Sequence, residues 1–183
     1  MNKKIVYWVI TLLLVCTVSA TSVSAEQDIQ PVNMTLSGSI MDVDQGGVLK
    51  LFDINLKGAP GTANARGVGW TGPPLPYSEL PVDNVCNDIS AFSPYSGLLF
   101  EEFQMTINFK DGSMLFANLA DGYICFSPSI AVGTYIIAGG NGRFEAASGW
   151  LFVEINAHRF AEEGHPSLVT AETGTLTGEI ILP

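Results

Sequence analysis

Alternate residues from Trp150 onward supply the densest set of chemically useful groups in this chain. Trp150, Phe152, Glu154, Asn156 and His158 share one face of an extended segment, opposite Leu151, Val153, Ile155 and Ala157. Aromatic walls with sparse polar groups are what small-molecule pockets are built from. Two orientations are open. With the aliphatic face inside a lumen, the mixed face becomes a subunit contact. With the mixed face inside, those five residues line an apolar pocket with a few polar anchors, and this orientation makes them the ligand-binding candidates. Glu154 and His158 are separated by about 13 Å along a strand, too far for a direct hydrogen bond, whereas Glu154 and Asn156, about 7 Å apart, can orient one ligand together. Glu102, Glu154 and Tyr135 are the catalytic candidates, because each is an ionisable group whose pKa an enclosed apolar site would shift. The competing reading of the two carboxylates is a solvated or salt-bridged side chain.

No recognised catalytic pattern joins these groups. The two histidines, His158 and His165, have no cysteine or histidine at zinc-ligand spacing. Asp42-Val43-Asp44-Gln45-Gly46-Gly47 opens like a calcium loop but lacks the distal glutamate and reads as a hairpin turn. In the run from Gly139 to Gly149, Glu145 stands where a dinucleotide fingerprint needs its third glycine, and no helix follows. A phosphate loop would need a Lys-Ser/Thr pair, and a serine hydrolase would need a Gly-x-Ser-x-Gly elbow. No metal and no cofactor are therefore expected, and any enzymatic activity would be of isomerase or cyclase type.

The first residues run Met1-Asn2-Lys3-Lys4, then an apolar stretch from Ile5 to Val18, then Val23-Ser24-Ala25 before Glu26. This is the pattern of a signal peptide cleaved after Ala25, which implies a secreted or periplasmic protein with no stable membrane span after processing. Cleavage leaves 158 of the 183 residues, enough for one domain over 26–183. Loss of Lys3 and Lys4 leaves six basic against 18 acidic residues and moves the net charge from −10 to −12. Such a surface repels phosphate backbones and excludes nucleic acid as a partner. Of the three cysteines, Cys86 and Cys125 survive processing; in an exported chain two thiols most often form one disulfide, and the rival reading is a pair of separate thiols, one of them reactive.

The elements that must position these groups are strands. Period-two alternation recurs throughout, beginning with Val32, Met34 and Leu36 against Asn33, Thr35 and Ser37. Further strands are expected at Val48 to Leu56, Thr62 to Trp70, Leu99 to Phe109, Met114 to Ala120, Tyr123 to Phe126, Gly133 to Ala138, Trp150 to Phe160 and Thr173 to Leu182. Thr71 to Asn87, with Pro73, Pro74, Pro76 and Pro81, reads as a long loop. Asp121-Gly122 reads as a turn, and Leu99 as facing the same way as Phe103, opposite Phe100. The fold class is all-β, a single antiparallel barrel of about eight strands.

Gly139, Gly140, Gly142 and Gly149 bracket Phe144 in a tight corner whose aromatic side chain is placed to plug one end. The order Gly-Gly-x-Gly-x-Phe-x-x-Ala-x-Gly resembles the turn of dirigent proteins and allene oxide cyclases, which share a calycin-type eight-stranded barrel; Asn141 stands where those families carry Thr or Ser. The resemblance implies a bacterial secreted member that binds a small apolar or aromatic molecule in its lumen. It also allows a cofactor-independent cyclase or isomerase, and assembly as a homo-oligomer. A non-enzymatic structural or surface-interaction protein is the remaining alternative.

Overall fold

The computed structural model describes residues 27–43, 49–160 and 169–183, and at 158–160 and 169–171 the description covers the backbone alone. The expected signal peptide and His165 lie outside the described residues. Eight antiparallel strands close into one barrel in chain order. They are β1 (Asp28–Asp42), β2 (Leu49–Ala59), β3 (Ala63–Leu75), β4 (Gly97–Phe109), β5 (Met114–Cys125), β6 (Ile130–Asn141), β7 (Ser148–Phe160) and β8 (Val169–Leu182). β1 zips to β8 from Asp28 opposite Leu182 to Met41 opposite Val169, which leaves no edge strand to pair with another chain.

The alternation read from the sequence is what closes the sheet around a dry interior. Val32, Met34 and Leu36 of β1 and Phe52, Ile54 and Leu56 of β2 are buried, while Asn33, Thr35, Asp53 and Asn55 between them face solvent. Over these stretches of β1 and β2 the apolar face is inside and the polar face outside, the reverse of strands in a transmembrane barrel. Among the described residues, no helix is long and apolar enough to cross a membrane.

One end is sealed. The β2–β3, β4–β5 and β6–β7 connections meet there, beside Asp28 and Leu182. A 3₁₀ turn at Gly142–Phe144 inserts the Phe144 ring, 0% exposed, against Phe109 at 4.7 Å between centroids. The Arg143 guanidinium lies 4.8 and 4.6 Å from those two rings and pairs with Asp111 at 3.3 Å. Gly142 takes φ +60°, and a Cβ on Gly149 would sit 2.1 Å from the Glu179 carbonyl oxygen, so the corner requires glycine at both. Phe144 is thus the end plug that its flanking glycines suggested.

Three local readings are corrected. β3 continues through Pro73 and Pro74 to Leu75, because register slips at Trp70/Thr71 and Thr71/Pro74 free the proline positions from the ladder. β5 is continuous, and Asp121-Gly122 is a ladder irregularity instead of a turn, with Gly122 opposite Gly133. Phe100 packs inward with Phe103, at 4.7 Å between centroids, since Trp70 faces Glu102 and Thr71 faces Phe100 across a bulge that flips the alternation. Leu99 packs beside the disulfide instead.

The opposite end is the mouth, where the long β3–β4 connection lies. Cys86 in that connection is bonded to Cys125 at the end of β5, with a sequence separation of 39. Leu80 packs on the disulfide, the Val85 N–H donates to the Tyr123 hydroxyl at 3.1 Å, and the Asn87 N–H donates to the Ser127 carbonyl at 2.6 Å.

Candidate functional site

Side-chain parity decides which groups share the interior. On β7 the inward positions are Leu151, Val153 and Ile155, so the mixed face points out: Trp150 is 42% exposed, Glu154 and Asn156 are exposed, and Phe152 is partly so. The inward orientation of the ligand-binding candidates is therefore corrected. The barrel interior accepts three aliphatic side chains from this strand, and the indole of Trp150 stays on the outer wall opposite Ile136 and Glu179. Phe152 and Glu154 instead line an outer groove of about 280 Å³ with Pro81, Asp83, Asp121 and Tyr123. His158 falls where only the backbone is described, opposite Ala171. Glu102 is exposed on the outer wall of β4.

Tyr135 is the one catalytic candidate that reaches the interior, 6% exposed on β6 among Phe52, Phe103, Val153 and Leu176. The free space there is about 40 Å³, room for about three water-sized spheres. Ligands of ordinary size need pockets of about 300 Å³ or more, so most of the lumen is a packed core.

The space widens toward the mouth. A cavity of about 150 Å³ adjoins the lumen through Ile40, Phe100, Phe103 and Ala131, and its polar groups are Asp42, Lys50, Ser129 and Glu172. Lys50 donates to the Asp42 carboxylate in a half-sheltered ion pair between β1 and β2. Glu172 stands apart. It is 3% exposed, and its Oε2 is buried with no hydrogen-bond partner among the described residues. Burial pushes its carboxyl up to about 8, so it holds a proton at neutral pH. Burial first, and the charge on Glu172 second, push the Tyr135 hydroxyl far above its ordinary value. The interior thus contains two proton-bearing groups in an apolar setting and can offer a hydrogen bond, or a negative charge, to a molecule entering at the mouth.

The sequence reading missed Glu172. It lies in a Thr- and Gly-rich strand that looks solvated, yet it shares parity with Leu176 and Ile180, both buried. That parity was the available signal.

No protein-family model and no curated protein matches the chain. Among solved structures it is similar to the pterocarpan synthase dirigent protein GePTS1, at 15% identity over 83% of this chain and 89% of that one, with a TM-score of 0.41. At that level the likeness is one of outline, and the closed eight-stranded barrel stands on its own strand register.

Proposed function

We propose that this chain is an exported, cofactor-free barrel that binds a small apolar or aromatic molecule at its mouth. The observation that carries this reading is the mouth cavity itself: aromatic and aliphatic walls from Phe100, Phe103, Ile40 and Ile124 around a buried carboxyl whose Oε2 has no hydrogen-bond partner among the described residues. An unsatisfied buried polar atom is uncommon and costly, and a ligand group that meets it removes the cost. A cavity of about 150 Å³ suits one aromatic ring or a short chain, the size of space that holds benzene in other proteins. Trp70 and Trp150 both sit on the outer wall, so tryptophan emission is a poor reporter of this site. Isothermal titration calorimetry with single-ring aromatics and short alkyl compounds is the direct test. Binding at millimolar affinity or better is expected, and silence across the panel refutes the reading.

Export rests on the signal-peptide pattern of residues 1–25. Intact mass of the mature protein tests it. A cyclase or isomerase is the second reading, favoured by the presence of Tyr135 and Glu172 in one apolar interior. It requires turnover of a bound substrate that is lost in both Tyr135→Phe and Glu172→Gln.

A further inference from the structure

We infer that the ligand of the mouth cavity is a small hydrophobic amine, whose ammonium group pairs with Glu172 while its ring or chain packs on Phe100 and Phe103. This rests on the mouth cavity being a binding site and adds the chemistry of what fills it. Charge counting provides the first argument. The described side chains of the cavity bring two carboxylates, Asp42 and Glu172, and one cation, Lys50, whose ammonium group is already engaged by Asp42. Once Glu172 ionises, the set is short of one positive charge, next to a buried oxygen without a hydrogen-bond partner among the described residues. An anionic ligand would oppose the ionisation of Glu172, and an alcohol would satisfy the oxygen without supplying the charge that ionisation calls for.

The walls provide the second argument. Phe100 and Phe103 both line the space, with their ring centroids 4.7 Å apart and their planes tilted by 51°. Aromatic faces attract ammonium groups, more strongly where water is excluded. The volume of about 150 Å³ limits the ligand to one ring or a short alkyl chain bearing the amine.

Proton linkage makes the inference measurable. Among the described side chains, the charged and titratable groups that face Glu172 are Asp42 on β1, Lys50 on β2 and Tyr135 on β6. On β7, Arg159 lies near by register, its backbone opposite Thr170, two residues from Glu172. In the free protein Glu172 is protonated below about pH 8. A bound ammonium group favours the carboxylate, so the Glu172 O–H bond breaks, its proton passes to solvent, and the electron pair stays on the carboxylate facing the ligand cation.

The test is calorimetry at pH 6.5 with benzylamine, benzyl alcohol and benzoate, each in two buffers of different ionisation heat. Benzylamine should bind at least tenfold more tightly than benzyl alcohol, and benzoate more weakly than both. Benzylamine should release close to one proton and benzyl alcohol none. Its affinity should rise close to tenfold per pH unit between pH 5 and 7 and level off above pH 8. Glu172→Gln should lower benzylamine affinity at least tenfold and abolish proton release, with benzyl alcohol changed by less than threefold. Arg159→Gln should leave benzylamine affinity within threefold. Equal binding of amine and alcohol, or no proton release, overturns the inference. So does an unaffected Glu172→Gln, or a tenfold gain in Arg159→Gln, which would mean that Arg159 already balances Glu172. The proton count uses the wild-type protein, so it decides the matter even where a variant does not fold. Failure of all three compounds to bind refutes the mouth cavity as a site, a result distinct from a preference for the alcohol.

Discussion

Replacing Glu172 with glutamine should make the protein progressively more stable than wild type as pH rises. The Glu172 carboxyl is raised from an ordinary 4.5 to about 8 by burial. Below about pH 4.5 folded and unfolded chains both hold this proton, and above about pH 8 neither does. Between those values the folded state binds more protons than the unfolded one, so wild-type stability falls with pH through this group. The gap is three and a half pH units, and at about 1.4 kcal/mol per unit it amounts to a ceiling of about 5 kcal/mol, reached if the side chain stays dry when ionised. Asp42, Lys50 and Tyr135 are retained in both proteins, so the comparison isolates the change at position 172. Urea unfolding of the two proteins from pH 4.5 to 9, with the disulfide intact, gives that difference directly. It should lie within about 1 kcal/mol of zero at pH 4.5, as for one neutral hydrogen-bonding group replacing another, and grow to several kcal/mol in favour of the variant by pH 8.5. Curves that run parallel across the range would show that Glu172 ionises freely, and the reasoning about the mouth would fall with it.

The other predictions concern the plug, the staple and the cavity wall. Phe144→Ala should cost about 3–5 kcal/mol in unfolding free energy, because it empties a fully buried aromatic site beneath Phe109 and Arg143; a loss below about 1 kcal/mol in denaturant titration would deny the plug its role. Cys86→Ala with Cys125→Ala should lower stability by up to about 4 kcal/mol, the chain-entropy figure for a closed loop with a separation of 39, and increase amide exchange across 76–96. An unchanged melting temperature would count against that. Ala131→Phe, which adds a ring where lumen and mouth cavity adjoin, should abolish calorimetric binding of single-ring aromatics while far-UV circular dichroism is kept. Retained binding would move the site elsewhere.

The barrel was readable because most strands bury one face and wet the other. Val32-Met34-Leu36 and Phe52-Ile54-Leu56 needed no tertiary information to be assigned inward. Phe144 was readable for another reason, since glycines on both sides of a lone aromatic leave it only one use. The site was harder. Trp150-Phe152-Glu154 and Leu151-Val153-Ile155 are both apolar enough to face a core, so alternation alone cannot choose, and the choice falls to the narrowness of a closed eight-strand interior. Phe100 was misplaced because a bulge changes parity at a point with no glycine or proline to announce it. Glu172 was missed because a carboxylate is ordinarily solvated, and its burial depends on strands far away in sequence.

The long pairing of β1 with β8 places the first and last described residues beside each other at the floor. A domain fused directly before residue 27 or after Pro183 therefore hangs from the pole opposite Glu172, and a surface tethered at either point leaves the entrance facing free solution. The same adjacency suits the barrel of residues 27–183 to circular permutation: a short linker can join residue 27 to residue 183 across the floor, and new ends can be cut elsewhere without opening the cylinder.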